Sequence, residues 1–146
     1  MLHGINSQIQ KQRFPGLQSP TRPSQTIQFC HNTSIKMAIY HIVMFKFKAL
    51  LPPEEVKVAC DGLLALGERC VHPTTKAAYV KVLGGGKDNS LEGLQNGFTH
   101  CFVFKFENKE DHKYYAESDP THQEFIATMK EKIDKVQVLG FTPGEF

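Results

Sequence analysis

Three histidines stand where their ring nitrogens could handle protons: His41 in IYHIVMFKFK, His100 in FTHCFVFKFE, and His122 directly after Asp119-Pro120-Thr121. Imidazole titrates near neutrality, so a positioned histidine can take a proton from a carbon flanked by two carbonyl groups and give it back later. A tyrosine hydroxyl can donate a hydrogen bond to the resulting enolate or oxyanion, and an apolar cavity strengthens both interactions by excluding water. The competing reading is plain packing, because a histidine on an apolar strand face is commonly a core residue satisfied by a carbonyl or a neighbour.

Other chemistries find less support. No carboxylate or cysteine joins the histidines at ligand spacing, so no metal is expected. Cys30, Cys60, Cys70 and Cys101 form no CxxC pair and read as reduced thiols. Gly84-Gly85-Gly86-Lys87 lacks the spacing of a phosphate-binding loop and reads as a strand-to-loop exit. Phe98, Phe102, Phe104 and Phe106 recur at strand spacing as core packing, without the flanking basic residues of a base-stacking platform. His72 falls in a loop and His112 on a polar helix face, where exposure to solvent is expected.

The elements that must position these groups begin at Met37. Residues 1–36 are rich in Gln, Ser, Thr, Asn and Pro and carry four basic residues with no acid. They read as a disordered extension, explained by an upstream start or by a weak mitochondrial targeting segment. Of the formal net charge of +2, that segment contributes +4, leaving the remainder at −2. A slightly acidic domain without a Lys/Arg cluster excludes nucleic acid as its main partner. The longest apolar stretches are strand-sized, which excludes a spanning helix and a membrane partner. A soluble, cytoplasmic protein with one core is expected of 146 residues.

Ile39 to Lys48 alternates as a strand, with His41, Val43, Phe45 and Phe47 on one face and Tyr40, Ile42, Met44 and Lys46 on the other. Pro52, Pro53, Glu54 and Glu55 suit a helix N-terminus, and Val56, Ala59, Cys60, Leu63, Leu64 and Leu66 follow at helical spacing. Lys76 to Leu83 predicts a second strand closed by the three glycines, and Phe98 to Glu107 a third. Helices over about 109–117 and 121–133, broken at Asp119-Pro120, and a last strand Val136 to Phe141 complete the order.

This β-α-β-β-α(α)-β order is that of an α+β, ferredoxin-like split β-α-β fold, a four-stranded antiparallel sheet with helices on one face. Both alternating faces of the first and third strands carry large apolar residues. The helices cover one face, and the other calls for a second copy of the chain.

HIVMFKFK, GFTHCFVFKFEN, YYAESDPTHQEF and DKVQVLGFTP, in this order, resemble the stress-responsive dimeric α/β-barrel (Dabb) family over nearly all of 37–146. The resemblance implies a homodimeric α/β barrel paired sheet to sheet. A distantly similar plant member, olivetolic acid cyclase, closes a linear poly-β-keto chain by aldol condensation without a cofactor, in a cavity between sheet and helices. It uses a histidine after the proline turn together with a tyrosine upstream. Carried over by resemblance, these roles fall on His122 and Tyr115, with Tyr114 as the alternative. His41 and His100 would approach the same cavity, walled by Val43, Phe45, Phe102, Phe125 and Val138. Asp119 stands where that enzyme has a histidine, and Ala59 and Leu63 replace aromatic residues, so a differently shaped pocket and another product are expected.

Two functions follow. One is a cofactor-independent cyclase or a binding protein for a polyketide-like or aromatic small molecule. The other is a non-catalytic, stress-induced protective dimer with a filled core. A cavity beside His122 discriminates between them.

Overall fold

The computed structural model describes residues 37–146; the expectations for residues 1–36, including the thiol state of Cys30, lie outside that range. The chain forms β1 (Ile39–Phe47), α1 (Pro53–Leu64), α2 (Leu66–Arg69), β2 (Lys81–Lys87), β3 (His100–Phe106), α3 (Lys109–Glu117), α4 (Pro120–Met129) and β4 (Ile133–Phe141). All pairings are antiparallel and the strand order is β2-β3-β1-β4, the ferredoxin-like arrangement. No helix among the described residues is long and apolar enough to cross a membrane.

Period-two burial runs along β1 as the alternation requires, with Ile39, His41, Val43, Phe45 and Phe47 buried and the residues between them half-buried. The buried face meets Phe102, Phe104 and Phe106 of β3 and is covered by Ala59 and Leu63 of α1, Leu66 of α2, Tyr115 of α3, and Phe125 and Met129 of α4. The core thus fills the space between one sheet face and the helices. Tyr40, Ile42, Met44, Cys101 and Val103 point the other way, continued on β4 by Leu139 and Phe141. Pro53 opens α1, with Glu54 and Glu55 beside the positive end of its dipole. Asp119 caps α4, its Oδ1 accepting from the Thr121 and His122 amides at 2.8 and 3.1 Å.

Two boundaries differ from the sequence expectation. β2 does not occupy 76–83. Lys76 takes a left-handed conformation at φ 57°, and Val71 pairs with Ala78 in a small local hairpin. The strand runs instead through the glycines to Lys87, because a Cβ at Gly85 would lie 2.1 Å from the Phe102 ring. Only a bare backbone lets β2 pair with β3 there. α4 ends at Met129, and β4 starts at Ile133 with Phe47 as its partner across a register irregularity.

Candidate functional site

Between α4 and the β1–β4 half of the sheet lies an apolar cavity of about 470 Å³. Its floor is Val43 and Phe45 with their β4 neighbours Val138 and Val136. Its roof is Leu63 of α1 together with Phe125, Ile126 and Met129 of α4. His41, Tyr115 and His122 bound one end, and Lys130 and Ile133 the other. The volume is in the range of small-molecule sites, with few polar groups among many apolar ones.

His122 sits at the third helical position of α4, held by the Asp119 cap. Its Nδ1 lies 2.8 Å from the main-chain oxygen of Tyr115. A carbonyl oxygen only accepts, so Nδ1 carries the proton, and the neutral ring keeps its lone pair on Nε2. The imidazole stacks on the Tyr115 ring with centroids 3.8 Å apart and planes 21° apart. Burial lowers the His122 pKa from its ordinary value, opposed by the Tyr115 carbonyl and by Asp119. The ring is therefore a neutral base at physiological pH.

Tyr115 is buried against Phe104, Phe106 and His41, yet it lines the cavity, and its hydroxyl has no hydrogen-bond partner among the described residues. Desolvation raises its pKa, keeping it a protonated donor. Tyr114 faces away, toward His72 and Tyr79. His41 shares a hydrogen bond of 3.1 Å between its Nδ1 and Nε2 of His112. Desolvation first, then the neighbouring His112 and His122, bring the His41 pKa down to about 4. It is a neutral polar contact rather than a second base. Asp119 is buried behind the site, where its Oδ2 accepts from the Tyr79 hydroxyl at 2.5 Å. Among the described residues no group of three or more His, Cys, Asp or Glu could hold a metal ion.

Residues 39–143 match the stress-responsive A/B barrel domain. The chain belongs to this family. A curated relative, the stress-response A/B barrel domain-containing protein HS1 of Arabidopsis thaliana, is 32% identical over 108 residues, covering 74% of this chain and 92% of the relative. The solved structure of At3g17210 from Arabidopsis thaliana superposes with a TM-score of 0.59 at 30% identity, over 74% of this chain and 97% of that one. The hydroxynitrile lyase of Passiflora edulis superposes with a TM-score of 0.63 at 22% identity, over 76% of this chain and 97% of that one, a likeness of fold.

Within this A/B barrel domain the cavity gathers His122, Tyr115, His41, Val43, Phe45, Phe125 and Val138. His100 and Phe102 do not line it. His100 pairs with Phe45 near the far end of β1, packs edge-on against Phe47, and has its Nδ1 2.9 Å from the Thr99 hydroxyl, too far along the strand to meet His41. Phe102 lies on the β2 side, under Gly85. The expectation of solvent exposure fails for His112, which is half-buried against His41 and Phe106. Its spacing of three from Tyr115 puts both on one helix face, a signal present in the sequence. Half-buried His72 likewise packs on Tyr79 and Tyr114. Leu63, Ala116, Ile126, Met129, Lys130, Ile133 and Val136 complete the lining.

Proposed function

We propose that this domain is a cofactor-independent enzyme of aldol type acting on an apolar carbonyl compound, with His122 as its base and Tyr115 as its hydrogen-bond donor. The observation that supports it is the His122 tautomer. The Nδ1 proton is committed to the Tyr115 carbonyl, leaving Nε2 as the basic nitrogen of a residue in the cavity wall. Nε2 takes the proton from a carbon between two carbonyls, and the electron pair moves onto the enolate oxygen, which Tyr115 stabilises. The enolate carbon then bonds to another carbonyl carbon of the same chain, and the new alkoxide takes the proton back from the imidazolium. That the fold can house lyase chemistry is supported by the hydroxynitrile lyase that shares it.

The test compares wild type with His122→Ala for conversion of poly-β-keto acids and thioesters, with products resolved by mass spectrometry and folding checked by circular dichroism. Cyclised product from wild type alone supports the reading. Equal turnover removes His122 from the mechanism, and no turnover from either protein favours the second reading. That second reading, a non-catalytic protective dimer, draws on the stress-response name of the Arabidopsis relative and on the apolar outer sheet face. Self-association through this face is part of both readings, and ferredoxin-like neighbours from Bacteroides fragilis and Thermobifida fusca are described as dimeric.

A further inference from the structure

The cavity has a direction. Its lining runs along β1 from His41 to Phe45 and along α4 from His122 to Lys130 at its C-terminal end. His122 and Lys130 are eight residues apart on or just beyond one helix, so at about 1.5 Å rise per residue the two ends lie roughly 12 Å apart. Everything between them is apolar, and no carboxylate contributes to the lining.

Lys130 is the one residue in that lining with a permanent charge. The lysines around it are engaged: Lys132 with Glu55 at 2.6 Å, Lys46 with Asp134 at 2.6 Å, Lys48 with Glu131 at 3.7 Å, and Lys135 over the Phe98 ring at 4.5 Å. Lys130, by contrast, has no ion-pair or hydrogen-bond partner among the described residues. An unpaired ammonium at the mouth of an otherwise uncharged apolar channel favours a ligand with one anionic end, while the histidine end offers neutral donors and acceptors for a carbonyl.

From this arrangement we infer that the cavity takes a medium-length amphiphilic acid, its carboxylate at Lys130, its hydrocarbon body along Val43, Phe125 and Val138, and its far end against His122 and Tyr115. The inference rests on the proposed function only in the choice of cavity; it concerns binding and survives if His122 proves not to be a base. It narrows the substrate class to apolar keto acids whose free carboxylate lies at the end remote from the reacting carbons.

The experiment is calorimetric titration of the full chain with decanoate and with methyl decanoate, which match in length and differ in charge. Wild type is expected to bind decanoate roughly three- to tenfold more tightly than the ester, the scale of one solvent-exposed ion pair at a channel mouth, and added salt should shrink the preference. Lys130→Met abolishes the preference and Lys130→Glu reverses it, while ester affinity stays within about twofold. Because Lys130 is exposed, both variants keep the fold, as circular dichroism checks. His122→Ala retains the preference for the acid, which separates this inference from the catalytic one. Absence of decanoate binding to wild type, or a preference unchanged in Lys130→Met, overturns it.

Discussion

Replacing His41 with Phe should flatten the acid limb of the stability curve. In the folded state burial holds the His41 pKa down at about 4, against an ordinary value of 6.5. Between those two values the unfolded chain binds a proton that the folded chain refuses, so stability falls as pH drops through this window. Above it both states are neutral and nothing is lost. At about 1.4 kcal/mol per pH unit, the full difference is roughly 3 kcal/mol, and screening by solvent in the open cavity trims this to about 2 kcal/mol. Phe is close in size, and the partner it abandons, His112, lines a surface groove beside Thr142 and Glu145, where water can replace the lost bond. The assay is urea unfolding followed by circular dichroism at about pH 7 and about pH 4.5, at one fixed protein concentration because self-association would enter the midpoint. Wild type should lose about 2 kcal/mol more than His41→Phe between the two conditions. Equal losses in the two proteins would show that His41 is not held neutral by its surroundings, and the reasoning from burial would be wrong.

Other perturbations test the packing around the site. Gly85→Ala should destabilise by about 3 kcal/mol, since its Cβ would stand 2.1 Å from the Phe102 ring and 2.8 Å from the Cys101 carbonyl oxygen, with little room to relax; thermal unfolding reads the loss. Asp119→Ala should cost about 3 kcal/mol in chemical denaturation, combining a lost helix cap with an orphaned Tyr79 hydroxyl. Asp119→Asn should cost clearly less because it keeps an acceptor for the cap. Cys70, fully buried with its thiol pushed up to about 12, should resist iodoacetamide at about pH 8 until the protein is unfolded, as mass spectrometry of the labelled chain would show.

The strands of the centre were legible because one face of each is buried. In β1 the alternation His41, Val43, Phe45, Phe47 gives the face directly, and the structure keeps every parity. Parity does not, however, give depth along a strand. His41 and His100 share the helix-side face, but antiparallel pairing places His41 opposite Phe104 and His100 opposite Phe45, so only one of them reaches the cavity. β2 is displaced from its alternating stretch, Lys76 to Leu83, because the end signal there is composition. Three glycines normally end a strand, and here they continue one, with the space over the middle one, Gly85, filled by Phe102, for which β2 itself carries no sequence signal. His112 reads as exposed in the sequence because α3 is polar nearly all round, with Tyr115 its one buried residue. The far end of the cavity is not legible in the sequence because the short turn at 130–132 between α4 and β4, whose geometry periodicity does not give, sets whether Lys130 and Ile133 face the channel.

β4 is at once the edge of the sheet and a wall of the cavity, and Val136 and Val138, although on the helix side, remain about half exposed. A ligand of the proposed kind would therefore enter or leave beside two small, stiff side chains without any element having to swing aside. Exchange at such a doorway is set by diffusion and by the strength of the contacts within. For the ligand inferred above, residence is expected to be short, and under the proposed function turnover is expected to be limited by bond-making rather than by an opening motion.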